Sequence, residues 1–188
     1  MLIIYAHPNK EGHCGYILEK ITEDLKAKGV GHQLLDLYTM NYDPVLKPEE
    51  HYTSGKTRVS EQNLQIQEMI KKEDRFVIIY PTWWNSAPAI LKGFVDRVFV
   101  ARFAFYYDKG LPKKILSGKA AVITTTGGPR IITKFFYKDG SKNFLVRDVL
   151  GFCGIKAKGF VIDNAKRLSD RQKNKIEKTV RRALAHLL

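Results

Sequence analysis

Phe76-Val77-Ile78-Ile79-Tyr80 is an unbroken apolar run with no polar residue at alternate positions. A strand of this kind has no face to offer water and must be covered on both sides, as in a parallel sheet. Leu2-Ile3-Ile4-Tyr5-Ala6 reads the same way, and Lys119-Ala120-Ala121-Val122-Ile123-Thr124 supplies another such strand. Shorter strand candidates lie at 34–37 and 157–162. Helical stretches separate them. Ile17, Ile21 and Leu25 recur at spacing four with Leu18 beside them, and Lys28-Gly29 ends that helix. Residues 61–72 give a second helix. A third runs from Ala89 to about Val100, with Ile90, Leu91, Phe94, Val95, Val98 and Phe99 on a broad apolar face. Pro88 suits its start, where a missing N–H is not needed. In the last helix Ile176, Val180, Leu184 and Leu187 form the buried stripe. Ser169 and Gln172 predict a capping box before it.

The remaining segments carry weaker signals. Residues 38–60 read as a long surface connection with one helical turn, Phe103–Gly110 as an aromatic loop, and 131–150 as partly helical. Strand and helix alternate along the whole chain, which predicts an α/β fold with helices on both faces of a parallel sheet. The 188 residues suit a single domain spanning 1–188. Five strands in that length predict a flavodoxin-like three-layer sandwich, strand order 2-1-3-4-5. A six-strand dinucleotide fold fits less well: the first turn holds only Gly12, with no G-x-G-x-x-G, and there is no G-x-x-x-x-G-K-[ST] loop.

Charge is distributed unevenly. Residues 1–108 carry 13 basic and 14 acidic side chains, whereas 109–188 carry 19 basic and 5 acidic. The basic part suits a solubilising surface, phosphate groups, or an anionic membrane face. Lys166, Arg167, Arg171, Lys173, Lys175, Lys178, Arg181 and Arg182 cluster on or near the last helix, but no nucleic-acid reader motif accompanies them, so no nucleic-acid partner is expected. Two cysteines, Cys14 and Cys153, make neither a disulfide framework nor a four-thiolate site, and no metal is expected. No apolar run approaches the roughly 20 residues of a membrane span, and the first residues lack a basic signal-peptide start. The expected compartment is the cytoplasm.

Open α/β sheets bind ligands outside the carboxyl ends of their strands. Three loops fall there: 7–14, 81–88 and 125–129. The first suits a phosphate if a helix N-terminus offers free N–H groups, with His7 and Asn9 as added donors; a plain loop role for His7 remains open. Trp83-Trp84 cannot both enter one core layer. One reading stacks a planar aromatic ligand there, and the other packs one Trp under the next helix and its neighbour against another subunit. Gly127 and Gly128 bring backbone close to whatever lies above the sheet. A Cys14–His13 nucleophile is disfavoured, since adjacent helical residues face different ways, and no Gly-x-Ser-x-Gly elbow is present. Aromatic surface and amide donors with few acids or bases describe a cofactor cradle, with no protein residue assigned as catalytic.

The residues now form a recognisable set. Tyr5-Ala6-His7-Pro8, Asp36-Leu37-Tyr38-Thr39-Met40-Asn41-Tyr42-Asp43-Pro44, Pro81-Thr82-Trp83-Trp84, Ala87–Phe99, Thr125-Thr126-Gly127-Gly128 and Gly151-Phe152-Cys153-Gly154 together resemble the flavodoxin-like NAD(P)H quinone oxidoreductases. That family includes the DT-diaphorases, the modulator-of-drug-activity quinone reductases and the ancillary reductases of potassium-efflux systems. The resemblance implies that His7, Asn9, Gly12, His13 and Cys14 hold a flavin phosphate. It implies that Pro81, Thr82, Trp83 and Trp84 line the isoalloxazine edge and that Thr125, Thr126, Gly127 and Gly128 contact its polar rim. Trp83, Trp84, Gly127 and Gly128 would also border the substrate. Phe105 and Tyr107 match positions that roof the substrate pocket from the partner subunit, which implies a homodimer. The implied reaction is ping-pong: NADPH or NADH reduces the flavin, and a quinone or small aromatic acceptor reoxidises it. The short chain favours FMN, with FAD as the alternative. Gly12 and Cys14 replace the Ser and Asn often found in relatives, which shifts the phosphate toward backbone donors. The Tyr and His that assist charge relay in the diaphorases are missing; Lys134 or Tyr137 are the substitutes at hand, and Arg130 and Lys134 are candidates for a nicotinamide phosphate. A second reading keeps the flavin but makes the protein a regulatory or ancillary subunit in peripheral contact with a membrane or transporter.

Overall fold

Successive side chains of each central strand enter opposite layers, as period-two geometry requires. Phe76, Ile78 and Tyr80 join one apolar cluster with Leu2, Ile4 and Val122. Val77 and Ile79 join the other with Ile3, Tyr5, Ala121 and Ile123. This doubly covered sheet is seen in a computed structural model that describes residues 1–51 and 58–188. Its parallel strands are β1 (Leu2–Tyr5), β2 (Gln33–Asp36), β3 (Arg75–Pro81), β6 (Lys119–Thr125) and β7 (Lys156–Ile162), in the order β2-β1-β3-β6-β7. Counting parallel strands alone, that is the order 2-1-3-4-5, the flavodoxin-like arrangement expected. Helices α1 (His13–Ala27) and α5 (Asp170–Leu187) cover one face. Helices α2 (Glu61–Lys71) and α3 (Ala89–Val98) cover the other together with the π-helical segment Phe144–Gly151; a second π-helical segment, Ile132–Phe136, precedes the short helix α4 (Gly140–Asn143) and buries none of its residues. Each fully buried aliphatic side chain, such as Ile79 or Leu91, contributes about 1.5–3 kcal/mol of transfer free energy. No helix among the described residues is long and apolar enough to cross a membrane.

Three expectations change. Phe103–Gly110 is not a loop: Phe105–Asp108 is β4, paired antiparallel with β5 (Leu111–Lys114) as a separate hairpin. Lys109 and Gly110, with φ of 49° and 80°, make the two-residue turn between them. The 38–60 connection is only partly superficial. Tyr42 is buried, its hydroxyl donates to Asn63 Oδ1 at 2.9 Å, and its ring meets Phe94 edge-on. Residues 52–57 of that stretch lie outside the described residues. Ser169 caps α5 by accepting from the Gln172 N–H, but the Gln172 amide does not return the bond. It donates instead to the carbonyls of Asp163 and Asn164, both at 3.1 Å.

Arg97 fastens the 43–50 segment to α3. Its guanidinium forks onto Glu50, with Nε and Nη2 each 2.8 Å from a carboxylate oxygen, and also donates to the Asp43 carbonyl. Gly93 permits this approach, because a side chain there would start 2.1 Å from the Pro44 carbonyl oxygen.

Candidate functional site

The loops after β1, β3 and β6 meet at the carboxyl end of the sheet. The first loop is tied by its own polar groups. Asn9 Oδ1 accepts the Glu11 N–H at 2.7 Å, and the Tyr5 hydroxyl donates to the Asn9 carbonyl at 3.1 Å. His7 Nδ1 lies 2.6 Å from the Asn9 carbonyl oxygen and 3.0 Å from its nitrogen, so it bonds the loop backbone in either tautomer. Lys10 reaches across to Asp36 at the end of β2, 2.6 Å away. The loop then turns into α1 at Gly12, with no side-chain cap and no acid in the first turn. The first N–H groups of such a helix have no intrahelical acceptor and carry the positive end of its dipole. His13 opens the helix in a buried position. Its Nε2 has no partner among the described residues, and burial lowers its pKa, favouring the neutral ring.

The loop after β3 is a tight turn. Trp83 and Ser86 exchange backbone hydrogen bonds at 3.1 and 2.9 Å, while Trp84 and Asn85 sit at φ of 51° and 56°. Both central residues are left-handed, as a type I′ turn requires, and a tryptophan there carries strain. The neighbouring segment holds it: Asn85 Nδ2 donates to the Tyr137 carbonyl at 3.1 Å and Ser141 Oγ to the Ser86 carbonyl at 3.0 Å. Gly140 makes room, since a Cβ there would lie 2.5 Å from Asn85 Nδ2. The turn separates the two tryptophans. Trp84 is thrown into solvent at 102% relative exposure, whereas Trp83, at 42%, lies beside His7 with ring centroids 6.2 Å apart.

The third loop closes against the other two. Thr82 donates its N–H to the Thr125 carbonyl at 2.7 Å, and the Thr82 and Thr124 hydroxyls lie 2.9 Å apart. Cys14 Sγ is 3.5 Å from Thr125 Oγ1. Burial pushes the Cys14 thiol up to about 12, which makes it a packing group and not a nucleophile. The Gly128 N–H makes a long bond, 3.4 Å, to Thr126 Oγ1. Beyond it Arg130 forks onto Asp139, with Nη2 2.7 Å from Oδ2, and Lys142 also holds Asp139 at 2.7 Å. The Arg130 guanidinium keeps the Asp139 carboxyl below its ordinary range. Arg130 is therefore engaged within the chain.

His7, Cys14, Thr82, Trp83 and Thr125 are thus brought together at the carboxyl end of the sheet. Trp84 stands apart on the turn tip. Phe105 and Tyr107 line a separate groove of about 380 Å³ with Phe99, Val149 and Phe152. Some of the basic surface serves the fold: Lys175 pairs with Asp163, and Lys173 and Arg182 lie over the rings of Tyr16 and Phe160. Sequence reasoning missed Asn85, Gly140 and Ser141 as the supports of the tryptophan turn. Their side chains carry no motif, and only the tertiary contact shows them. No metal-binding cluster occurs among the described residues.

An α/β sheet of this order, with a free helix N-terminus and an aromatic side chain at its carboxyl edge, defines an open-sheet ligand-binding protein. A family model described as the flavodoxin-like fold matches residues 1–187. The chain belongs to that family. It is similar to an uncharacterized NAD(P)H oxidoreductase of Haemophilus influenzae, 34% identical over 158 residues, covering 82% of this chain and 78% of that one. Human ribosyldihydronicotinamide dehydrogenase [quinone] is 30% identical over 201 residues, covering 93% and 85%. Among solved structures, the NAD(P)H:quinone oxidoreductase of Methanothermobacter marburgensis superposes with a TM-score of 0.81 at 25% identity, covering 97% and 92%. The FMN-dependent NADH-azoreductase of Bacillus anthracis, solved in complex with FMN, shares the fold with a TM-score of 0.77 at 19% identity, covering 96% and 97%.

Proposed function

We propose that this protein is a flavin-dependent NAD(P)H oxidoreductase that reduces quinones or related aromatic acceptors by two electrons, working as a homodimer. One observation carries the reading: the uncapped, acid-free N-terminus of α1 opens beside Trp83 and the Thr125–Gly128 loop. The residues fit the group. An anion at that helix end meets free N–H groups, and His13 Nε2 is a buried polar atom nearby that has no partner among the described residues. The relatives named for NAD(P)H and quinone, and the FMN held by a protein of like fold, support the same class.

In this reading the N–H groups of Gly12, His13 and Cys14, with His7, hold the flavin phosphate. Asn9 shapes that loop through its bond to Glu11. Pro81, Thr82 and Trp83 border the ring, and Thr125, Thr126, Gly127 and Gly128 offer its polar rim hydroxyl and N–H groups. A bound flavin supplies the exchange of two electrons between nicotinamide and acceptor. The chain's own part is to bind, orient and exclude water, and no side chain is required as a nucleophile. Phe105 and Tyr107 close the substrate pocket of the partner subunit. FMN is the favoured form, with NADPH or NADH as donor.

The two tryptophans separate in this account. Trp83→Ala is expected to weaken flavin binding by about tenfold, the loss of one aromatic stacking contact. Trp84→Ala leaves flavin binding within about twofold. Titrating each apoprotein with FMN and following flavin fluorescence checks this. Equal losses would place the ring elsewhere on the turn. Ping-pong exchange predicts parallel double-reciprocal lines when NADPH and menadione are varied together; lines that intersect would contradict it.

A further inference from the structure

We infer that Lys166 is the cation that stabilises the negative charge a flavin gains on reduction, and that it acts at the Gly127 rim. The inference rests on the flavin reading above. Lys166 follows β7 in a loop that is stitched to the loop after β6. The Thr126 N–H donates to the Ile162 carbonyl at 2.8 Å, the Asn164 N–H to the Gly128 carbonyl at 3.2 Å, and the Ala165 N–H to the Thr126 carbonyl at 2.9 Å. The Arg130 N–H adds a bond to Asp163 Oδ2 at 3.2 Å. These bonds fix the backbone of residue 166 against the third loop. The first part of its side chain passes Gly127: a Cβ at Gly127 would meet Lys166 Cγ at 3.9 Å and no other atom within 4 Å.

Two carboxylates near these loops are already taken. Asp163 is held by Lys175 and the Arg130 N–H, and Asp139 by Arg130 and Lys142. Lys166 makes no ion pair within 4.0 Å among the described residues. Its charge has no ion-pair partner among the described residues, and its exposed stem passes a backbone rim that has no side chain of its own.

The chemistry gives that charge a task. Hydride transfer from a reduced nicotinamide delivers two electrons and one proton, so a neutral flavin ring becomes a monoanion. The acceptor quinone later takes the hydride equivalent and one solvent proton, leaving the ring neutral and the hydroquinone free. A cation within reach of the ring lowers the energy of the monoanion more than that of the neutral ring, which favours reduction. This is a differential effect: it changes the hold on the reduced form and not on the oxidised form.

The test uses the flavin-loaded protein and two variants. Lys166→Met keeps the stem and removes the charge; Lys166→Arg keeps the charge. The readout is the two-electron midpoint potential, measured anaerobically against a reference dye, together with the dissociation constant of oxidised flavin. In Lys166→Met the reduced flavin is expected to bind about tenfold more weakly relative to the oxidised form, equivalent to a fall of about 30 mV. Oxidised flavin should bind as in the wild type, and Lys166→Arg should restore the potential. An unchanged potential in Lys166→Met overturns the inference. So does a change confined to KM for NADPH against NADH, which would assign Lys166 to the nicotinamide phosphate. Wild-type protein that takes up no flavin would overturn the flavin reading itself, and this is settled before either variant is made.

Discussion

In a Gly15→Ala variant, flavin affinity is expected to fall by about a hundredfold while the sheet stays folded. Gly15 lies in the first turn of α1, and the preceding loop folds back onto it. A Cβ at residue 15 would sit 1.7 Å from the Lys10 carbonyl oxygen and 2.4 Å from its carbon. Those are backbone atoms, so the loop itself must move. The movement breaks the register of His7, Asn9 and Lys10 against the helix end and disturbs the 2.6 Å pair from Lys10 to Asp36 at the end of β2. Losing two charge-assisted hydrogen bonds to a phosphate costs roughly 3 kcal/mol, or about a hundredfold in affinity. Equilibrium dialysis with FMN, alongside circular dichroism, measures both parts. A variant that binds flavin as the wild type does would show that the phosphate is held elsewhere.

Arg97→Ala addresses the fold that supports the site. The Arg97 and Glu50 side chains are 6% and 7% exposed, so removing the guanidinium leaves a carboxylate buried without its partner. Breaking a buried pair in this way typically costs about 3–5 kcal/mol, here a fall of roughly 10 °C in Tm. The pH dependence follows in sign. Burial, the largest influence, would by itself raise the Glu50 carboxyl, but the Arg97 guanidinium together with the Lys47 N–H and charge holds the group below its ordinary value. A lowered folded pKa gives stability that is present above the ordinary carboxylate range, near pH 4, and lost as pH falls through the folded value. The wild type should lose this contribution in acid, and the variant should lack that part of its acid dependence. Thermal melts from pH 7 down to pH 3 test it; parallel curves for the two proteins would remove the pair from the account.

Much of the scaffold was readable because its strands are buried on both faces. Residues 76–80 show no alternation, and only a central parallel strand tolerates that. The site's loops followed from the rule that open sheets bind at their carboxyl ends. The hairpin was harder to see. Leu111-Pro112-Lys113-Lys114 carries a proline that argues against a strand, yet Pro112 pairs with Tyr107 on a two-stranded ribbon whose outer edge is open. The π-helical segments leave no periodicity that a 3.6-residue pattern detects. Which tryptophan faces the crevice depends on two left-handed residues and on bonds from Tyr137 and Ser141, contacts about 55 residues away in the chain. Lys166 read as one more charge beside the last helix. Its position over Gly127 comes from the pairing of β6 with β7, which the sequence around residue 166 does not encode.

The central claim, that the crevice holds a redox-active flavin, is tested most directly by spectrum. Purified protein is mixed with FMN, freed of excess, and titrated anaerobically with NADPH, then with menadione. Bound flavin absorbance is expected to bleach with one equivalent of NADPH and return with one equivalent of quinone. Protein that retains no flavin, or flavin that stays oxidised in the presence of both NADPH and NADH, would contradict it.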